Sequence, residues 1–243
     1  MGKILVINPN TSEEMTNEIR KTAEKIVSPQ HNVVVVHSPI GPESIESFYE
    51  DHLATIGLIR AAKAHPDADA VVVACFDDPG LYALKEILDV PVVGIGEASF
   101  SVALLIGYKF SILVALDKAV ALMDHMVLRY GLKDRLASVR ALNIPVLDLE
   151  RSPEKTLKAL IETGRKAVEE DYAEVLILGC AGMTDFDVKI EKELKVPVID
   201  PVKAGVKMAE ALLDGGFKTS RRALYMSPPP KKIIGEDVFF KKS

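Results

Sequence analysis

Two cysteines, the only ones in this chain of 243 residues, end two matching segments. The segment from Ala68 to Cys75 reads ADAVVVAC, and the segment from Ala173 to Cys180 reads AEVLILGC. Each has an acidic residue, a run of branched apolar residues, a small residue and then the thiol. A duplicated fold could bring the two thiols face to face across a pseudo-twofold axis. Such a pair suits a reaction that removes a proton from one face of a carbon and returns it to the other face.

The similarity between the two halves extends beyond the cysteines, which are 105 residues apart. Residues 4–6 and 112–114 carry the same kind of apolar run at an offset of 108, and the Val-Pro runs that begin at Val90 and Val196 match at an offset of 106. Each half therefore contains four short apolar runs in the same order. This pattern indicates two similar lobes.

Short runs rich in β-branched residues alternate with helical stretches, which predicts parallel sheets covered by helices on both faces. The predicted strands are 4–7, 33–37, 70–74, 92–94, 111–115, 138–141, 175–178 and 198–199. The predicted helices are 13–26, 53–64, 81–88, 118–130, 153–169 and 202–213.

We therefore predict an α/β fold with two similar doubly wound parallel-sheet lobes related by a pseudo-twofold axis. The first lobe takes residues 1–98 plus 205–243, including a C-terminal tail, and the second takes residues 99–204. Residues 217–243 have no helical period and are predicted to form an extended surface arm. Ligands of such sheets bind beyond the carboxyl ends of the strands, where both cysteines are predicted to lie. The active site is therefore expected in the cleft between the lobes.

The composition narrows the class of protein. The chain is 48% hydrophobic and 27% charged, so it can bury a core, and its net charge of −5 without clustered basic residues argues against a nucleic-acid partner. No apolar run approaches the ~20 residues that span a bilayer, and no signal peptide is visible after Met1. Two cysteines in such a chain predict free thiols in the cytoplasm rather than a disulfide.

The residues around each cysteine resemble turns that lead into helices. Asp78 is placed to cap a helix, so Cys75 is expected near a helix N-terminus that favours its thiolate. After Cys180, Thr184 and Asp187 have the spacing of a capping box. One such cysteine alone would be read as a small buried hydrophobe, but two at matched strand ends indicate function. A metal site is disfavoured, because no histidine is close to either cysteine in sequence.

The loop after the first strand, Asn8-Pro9-Asn10-Thr11-Ser12, supports two interpretations that are compatible. Thr11 and Glu14 have capping-box spacing, which predicts the start of a helix. The side chains of Asn8 and Asn10, with the N–H groups at the helix terminus, could also bind a carboxylate or the oxygen of a cyclic imide.

Other polar and glycine-rich features carry less weight. The sequence Gly94-Ile95-Gly96 suggests a dinucleotide loop, but Ser99 replaces the third glycine and the loop follows the fourth predicted strand rather than the first. We interpret these glycines as the start of the next helix. Three acidic residues near strand ends are secondary candidates for contact with a substrate, namely Asp78, Glu97 and Asp200.

Four segments together resemble the hydantoin racemase and allantoin racemase group of the aspartate/glutamate racemase superfamily. They are residues 7–12, 74–81, 94–98 and 179–183. The resemblance covers nearly the whole chain and implies a cofactor-independent racemase that acts on a five-membered ring, with no metal. It implies that Cys75 and Cys180 are the acid/base residues. The substrate-binding residues expected on this basis are Asn10, Thr11, Phe76, Gly179, Ala181 and Gly182.

One departure from the group concerns the segment after the fifth strand. Relatives tend to carry hydroxyl side chains there, whereas this chain has Ala115 and Leu116. The missing hydroxyl removes a possible hydrogen bond to the ligand, which leaves the expected reaction class unchanged but bears on the identity of the substrate. Three alternatives to this function remain. They are racemisation of free aspartate or glutamate, a one-cysteine decarboxylation or isomerisation in the same fold, and a two-lobed binding protein without chemistry. A redox dithiol is disfavoured because its cysteines would be closely spaced.

The expected partners are a small-molecule substrate and further copies of the chain in a homo-oligomer.

Overall fold

The computed structural model describes residues 2–234, except for the side chain of Glu150. Within this range the strands are β1 (Gly2–Asn8), β2 (His31–His37), β3 (Ala70–Val73), β4 (Val92–Gly94), β5 (Phe110–Val114), β6 (Leu136–Ala141), β7 (Val175–Leu178) and β8 (Val198–Ile199). The α-helices are α1 (Glu13–Ile26), α2 (Phe48–Lys63), α3 (Leu81–Ile87), α4 (Ile95–Ile106), α5 (Asp117–Arg129), α6 (Asp148–Arg151), α7 (Pro153–Glu169), α8 (Asp187–Leu194) and α9 (Pro201–Asp214).

The strands form two four-stranded parallel sheets with equivalent strand orders, β2-β1-β3-β4 and β6-β5-β7-β8. The predicted α/β fold with two similar lobes is therefore confirmed, and every predicted strand is present with its ends within two residues of the prediction. The boundaries proposed for the lobes stay a prediction.

The central strands are buried on both faces, as continuous apolar runs predict. In β1, Ile4 and Val6 pack into a large core that includes residues of both sheets, such as Ile112 and Ile177. The alternate residues of β1 pack into a smaller core under α2 and α3. The shared core joins the two lobes into one packed unit.

Helix α1 begins one residue later than the capping-box spacing indicated. Its N-cap is Ser12, whose Oγ accepts a hydrogen bond from the backbone N–H of Met15 at 3.2 Å. Thr11 is instead tied to the neighbouring loop, because its backbone N–H donates to the carbonyl oxygen of Pro42 at 3.0 Å. The capping role expected of Thr11 is therefore wrong.

Asp78 caps a different helix from the one predicted. The N-cap of α3 is Gly80, whereas the Asp78 carboxylate accepts hydrogen bonds from the backbone N–H groups of Gly96 and Glu97 at 2.9 and 2.8 Å, in the first turn of α4. A Cβ on Gly94 would overlap this carboxylate. The glycines therefore begin α4, as we interpreted them, and they make room for the Asp78 carboxylate.

We expect Asp78→Ala to lower the free energy of unfolding by about 3 kcal/mol, because two backbone N–H groups of α4 would lose their acceptor in a buried position. Asp78→Asn should cost less, because it keeps one of the two acceptor oxygens and suits the positive φ of 52° at this residue. Its NH2 group leaves the other N–H without an acceptor. Urea unfolding of both variants measures the difference, and equal losses would contradict the capping role.

Helix α9 follows the second sheet in sequence but packs on the first sheet. Gly205 lies against Val72 of β3 and Ile95 of α4 so closely that an added Cβ would overlap Ile95. Asp200 caps α9 by accepting hydrogen bonds from the N–H groups of Val202 and Lys203. The C-terminal segment continues along the first lobe. The tail prediction for residues 235–243 lies outside the described residues.

The described part of this C-terminal segment, residues 217–234, contacts the surface of the first lobe. Arg221 donates to the carbonyl oxygen of Lys85 at 2.8 Å and lies 3.1 Å from Asp89. Tyr225, in a short 3-10 helix, stacks on Tyr82 of α3. Within residues 2–234, no helix has the length and apolar character that a membrane span requires.

Candidate active site

A cleft lies between the two lobes, and both cysteines line it. Cys75 follows β3 and Cys180 follows β7, which are equivalent strands in the two sheets. The two cysteines are not joined in a disulfide, and both residues are partly exposed. The fold thus places the two thiols in one cavity at the carboxyl ends of parallel strands, where ligands of such sheets bind.

The pKa of the Cys75 thiol is raised well above its ordinary value. Burial is the largest cause, the negative charge of Asp77 is the next, and a negative charge on Cys180 acts in the same direction. The expectation that a helix would favour a Cys75 thiolate is wrong. Helix α3 begins only at Leu81, and burial together with Asp77 outweighs any stabilisation by its N–H groups. Because charge on one cysteine opposes charge on the other, the cleft disfavours two thiolates at the same time.

Asp77 lies in the wall shared by the cleft and a second, adjoining cavity. Its side chain lines both cavities, and the second also holds Asp51, His125 and Arg129. The pKa of Asp77 is raised to about 6, mainly by burial and then by the charge of Asp51, whereas Arg129 lowers it. Asp77 therefore changes its charge near neutral pH, close to Cys75.

We expect Asp77→Asn to move the appearance of the Cys75 thiolate to lower pH. Above about pH 6 the ionised Asp77 raises the pKa of Cys75, so removing that charge must lower it. The ultraviolet absorbance of the thiolate, titrated in a Cys180→Ser background, measures the change. Asp134→Asn, which neutralises an exposed carboxylate outside the cleft, is the matched control. An unchanged or raised midpoint for Asp77→Asn would contradict this assignment.

The first lobe contributes an oriented amide to the cleft. Oδ1 of Asn10 accepts hydrogen bonds from Nδ2 of Asn8 at 2.7 Å and from the backbone N–H of Ser12 at 2.9 Å. These donors fix the orientation of the amide, so Nδ2 points the other way, where its partner is the sulfur of Met15 at 3.2 Å. A thioether is a weak acceptor, so Nδ2 of Asn10 can still donate to a ligand oxygen.

The backbone N–H groups of this loop are already used within the protein. That of Asn10 donates to Oδ1 of Asn8, that of Thr11 to Pro42, and that of Ser12 to Asn10. They are therefore not free to bind a substrate oxygen, contrary to the expectation from the sequence. Thr11 also lies outside the cleft wall. The loop acts through the side chain of Asn10.

The second lobe contributes the turn around Cys180. Gly179 and Ala181 line the cleft, whereas Gly182 does not. The backbone N–H of Gly179 donates to the carbonyl oxygen of Leu113 at 2.8 Å, so it is not available to a ligand. Ala181 begins a short 3-10 helix, and the first N–H groups of a helix have no partner within it. Of these residues, Ala181 is the one placed to donate to a ligand.

The capping box expected after Cys180 is wrong. The N-cap of α8 is Phe186, without a side-chain hydrogen bond. Thr184 instead donates its hydroxyl to Oδ2 of Asp200 at 2.7 Å. The secondary candidates Asp78, Glu97 and Asp200 do not line the cleft; Asp78 and Asp200 are buried caps, and Glu97 pairs with Lys85 at 2.7 Å.

Most of the remaining wall is apolar, and much of it was not predicted. Phe76 lines the cleft, as expected, and so do Ala115 and Leu116 in place of hydroxyl residues. The residues that the sequence did not single out come from helices and long loops of both lobes: Met15, Ile45, Glu46, Ala119, Leu122, Met123 and Val146. Among residues 2–234, no lysine, arginine or histidine lines this cleft, and no group of three or more acidic, His or Cys side chains is placed to hold a metal ion.

A comparison with known families identifies the class of protein. Residues 4–209 match the model of the Asp/Glu/Hydantoin racemase family. The chain therefore belongs to this family, and it is a racemase. This agrees with the resemblance found in the sequence and with two equivalent sheets on either side of a cleft.

Individual relatives narrow the position within the family. The chain is 43% identical to a hydantoin racemase from Pseudomonas sp. (strain NS671), over 96% of this chain and 94% of that one. Among solved structures it is similar to the allantoin racemase from Pseudomonas fluorescens, with a TM-score of 0.93, 39% identity, and coverage of 96% of this chain and 100% of that one. The allantoin racemase from Klebsiella pneumoniae gives a TM-score of 0.95 at 33% identity, with 99% of both chains covered.

Proposed function

We propose that the protein racemises 5-substituted hydantoins, or a related cyclic ureide such as allantoin, by proton transfer between Cys75 and Cys180. The observation that carries this proposal is that both thiols line one cleft, at the ends of equivalent strands of the two lobes. The ring would lie between the sulfurs with its stereocentre facing both.

In the proposed reaction one cysteine acts as a thiolate and takes the proton from C5 of the ring, forming its S–H bond as the C–H bond breaks. The electron pair moves onto the adjacent carbonyl oxygen. The other cysteine, as a thiol, gives its proton to the opposite face of C5 and becomes the thiolate. The two thiols exchange roles in the reverse reaction. Nδ2 of Asn10 and the N–H of Ala181 would donate to the charged carbonyl oxygen.

The wall of the cleft favours a neutral ring over a free amino acid. The α-carboxylate of aspartate or glutamate needs a cationic or strongly donating partner, and the wall offers Glu46 and Asp77 instead of a lysine or an arginine. The apolar side chains of Leu122, Met123 and Val146 suit an apolar substituent better than the polar ureido group of allantoin. We therefore favour hydantoins with apolar substituents as the substrates.

Single enantiomers of alkyl hydantoins, allantoin, aspartate and glutamate, incubated with the protein in deuterium oxide, test the proposal. Loss of the C–H signal and of optical rotation should occur with the hydantoins, in the presence of a chelator and without added nucleotide or pyridoxal phosphate. The double variant Cys75→Ser/Cys180→Ser controls for spontaneous racemisation. Turnover of the free amino acids alone would reject the proposal in favour of the amino-acid alternative, and activity restored only by an added metal would reject cofactor independence.

A further inference from the structure

Glu46 is held in a fixed position directly before helix α2. Ser47 is the N-cap of α2, and its Oγ accepts a hydrogen bond from the N–H of Glu50 at 3.3 Å. The carboxylate of Glu50 in return accepts from the N–H of Glu46 at 2.7 Å and from the hydroxyl of Ser47 at 2.8 Å. This reciprocal capping arrangement fixes the backbone of Glu46 at the end of the loop that follows β2.

The side chain of Glu46 reaches across to the other lobe. Its Oε1 accepts a hydrogen bond from the backbone N–H of Val146 at 3.2 Å. Val146 lies in the loop after β6, the strand equivalent to β2 in the second sheet. Both residues line the cleft. The bond therefore joins two equivalent loops across the cleft and holds a carboxylate in its wall.

Glu46 has a different charge environment from the other acidic residue of the wall. Asp77 lies beside Arg129, whose positive charge acts on it in the adjoining cavity. The contacts of Glu46 are with a backbone N–H, and no basic side chain lines the cleft among the described residues. The cysteines and Asn10 occupy the strand ends, whereas Glu46 and Val146 come from loops further along the chain. With the ring placed between the sulfurs as proposed above, a substituent on C5 that extends toward these loops would meet the carboxylate of Glu46.

We propose that Glu46 determines the charge of the substituent that the cleft accepts, admitting neutral and cationic groups and rejecting anionic ones. This inference rests on the proposed racemisation of hydantoins at the same site. At roughly 7 Å and an effective dielectric constant of about 30, one charge pair changes affinity about tenfold. The charge of Glu46 does not change the affinity for a neutral substituent. Its effect is therefore measured as the ratio of the affinities for charged and neutral substrates.

The test compares three hydantoins whose substituents at C5 are an alkyl group, an acetate group and an aminobutyl group. Glu46→Gln keeps a side-chain oxygen for the N–H of Val146 but removes the charge. It should raise kcat/KM for the acetate relative to the alkyl compound about tenfold and lower it for the aminobutyl compound by a similar factor. Glu43→Gln, on the same loop but exposed and outside the cleft wall, should leave both ratios unchanged.

Equilibrium binding separates this inference from the proposed function. The three compounds are titrated calorimetrically into Cys75→Ser/Cys180→Ser, with and without Glu46→Gln. If the wild type turns over none of them, the proposed function fails, yet the binding ratios still report the role of Glu46. If Glu46→Gln leaves the ratios between acetate, alkyl and aminobutyl compounds as they are, or if Glu43→Gln changes them equally, Glu46 does not determine charge selectivity.

Discussion

Replacing either Cys75 or Cys180 by serine is expected to reduce racemisation in both directions by at least ~10³-fold while leaving proton exchange at one enantiomer. A serine hydroxyl is a far weaker base and acid than a thiol, and general acid–base catalysis by one group contributes ~10²–10⁴-fold. The cysteine that remains can still take the proton from the face of C5 that it meets and return deuterium to the same face. The two variants should therefore exchange opposite enantiomers, as followed by the C–H signal in deuterium oxide.

Ligand binding distinguishes lost chemistry from lost structure in these variants. Serine differs from cysteine by one atom, so both variants should bind a hydantoin with nearly the wild-type dissociation constant. The double variant should show neither racemisation nor exchange. Racemisation at the wild-type rate in either single variant would refute the two-base assignment, and so would exchange of the same enantiomer by both.

Asn10→Asp is expected to lower kcat by about 10²–10³-fold, the loss typical of removing one donor to a developing oxyanion. The substitution is isosteric. It keeps the oxygen that accepts from Asn8 and Ser12 and replaces the Nδ2 donor by a negatively charged acceptor. The carbanion would then meet repulsion where it now has a hydrogen bond. Steady-state kinetics on an alkyl hydantoin measure the change.

The matched control for this substitution is Asn17→Asp on the exposed face of α1, which changes the net charge by the same amount. It should keep the wild-type kcat. Thermal unfolding of Asn10→Asp shows whether the loop still folds around α1. If kcat is unchanged in a folded Asn10→Asp variant, the charged oxygen of the transition state is not bound by Nδ2 of Asn10.

The fold was largely predictable because its signals are local. Parallel strands buried on both faces give continuous apolar runs, and these runs located every strand among residues 2–234. The α-helices that the sequence left without bounds are α4, α6 and α8. The glycine-rich sequence indicated where α4 begins but not where it ends, and the cap from Asp78 comes from a distant loop. Helix α2 begins earlier than predicted because Ser47 caps it.

The site was predictable only at the strand ends. The repeat brought Cys75 and Cys180 to equivalent positions, and the chain direction alone placed them beside one cleft. The acceptor of each backbone N–H in this loop could not be predicted from the sequence. The N–H of Thr11, for example, donates to a carbonyl oxygen 31 residues away. Glu46 and Val146 were not predicted as cleft residues for a similar reason. Each lies in a loop without periodicity, and they meet through a contact between residues 100 positions apart.

The path of helix α9 has a consequence for folding during synthesis. The first sheet is complete once β4 has been made, yet part of the face that packs into the shared core is covered by α9, which begins at Pro201. A ribosome adds roughly 5–20 residues per second, so that face stays exposed for several seconds while the second sheet is being built. We therefore expect the first half of the chain to be prone to aggregation during synthesis, and stable folding to wait for nearly the full length. Arrested nascent chains ending before Pro201 should accordingly be sensitive to protease, whereas chains that extend well past Asp214 should be protected.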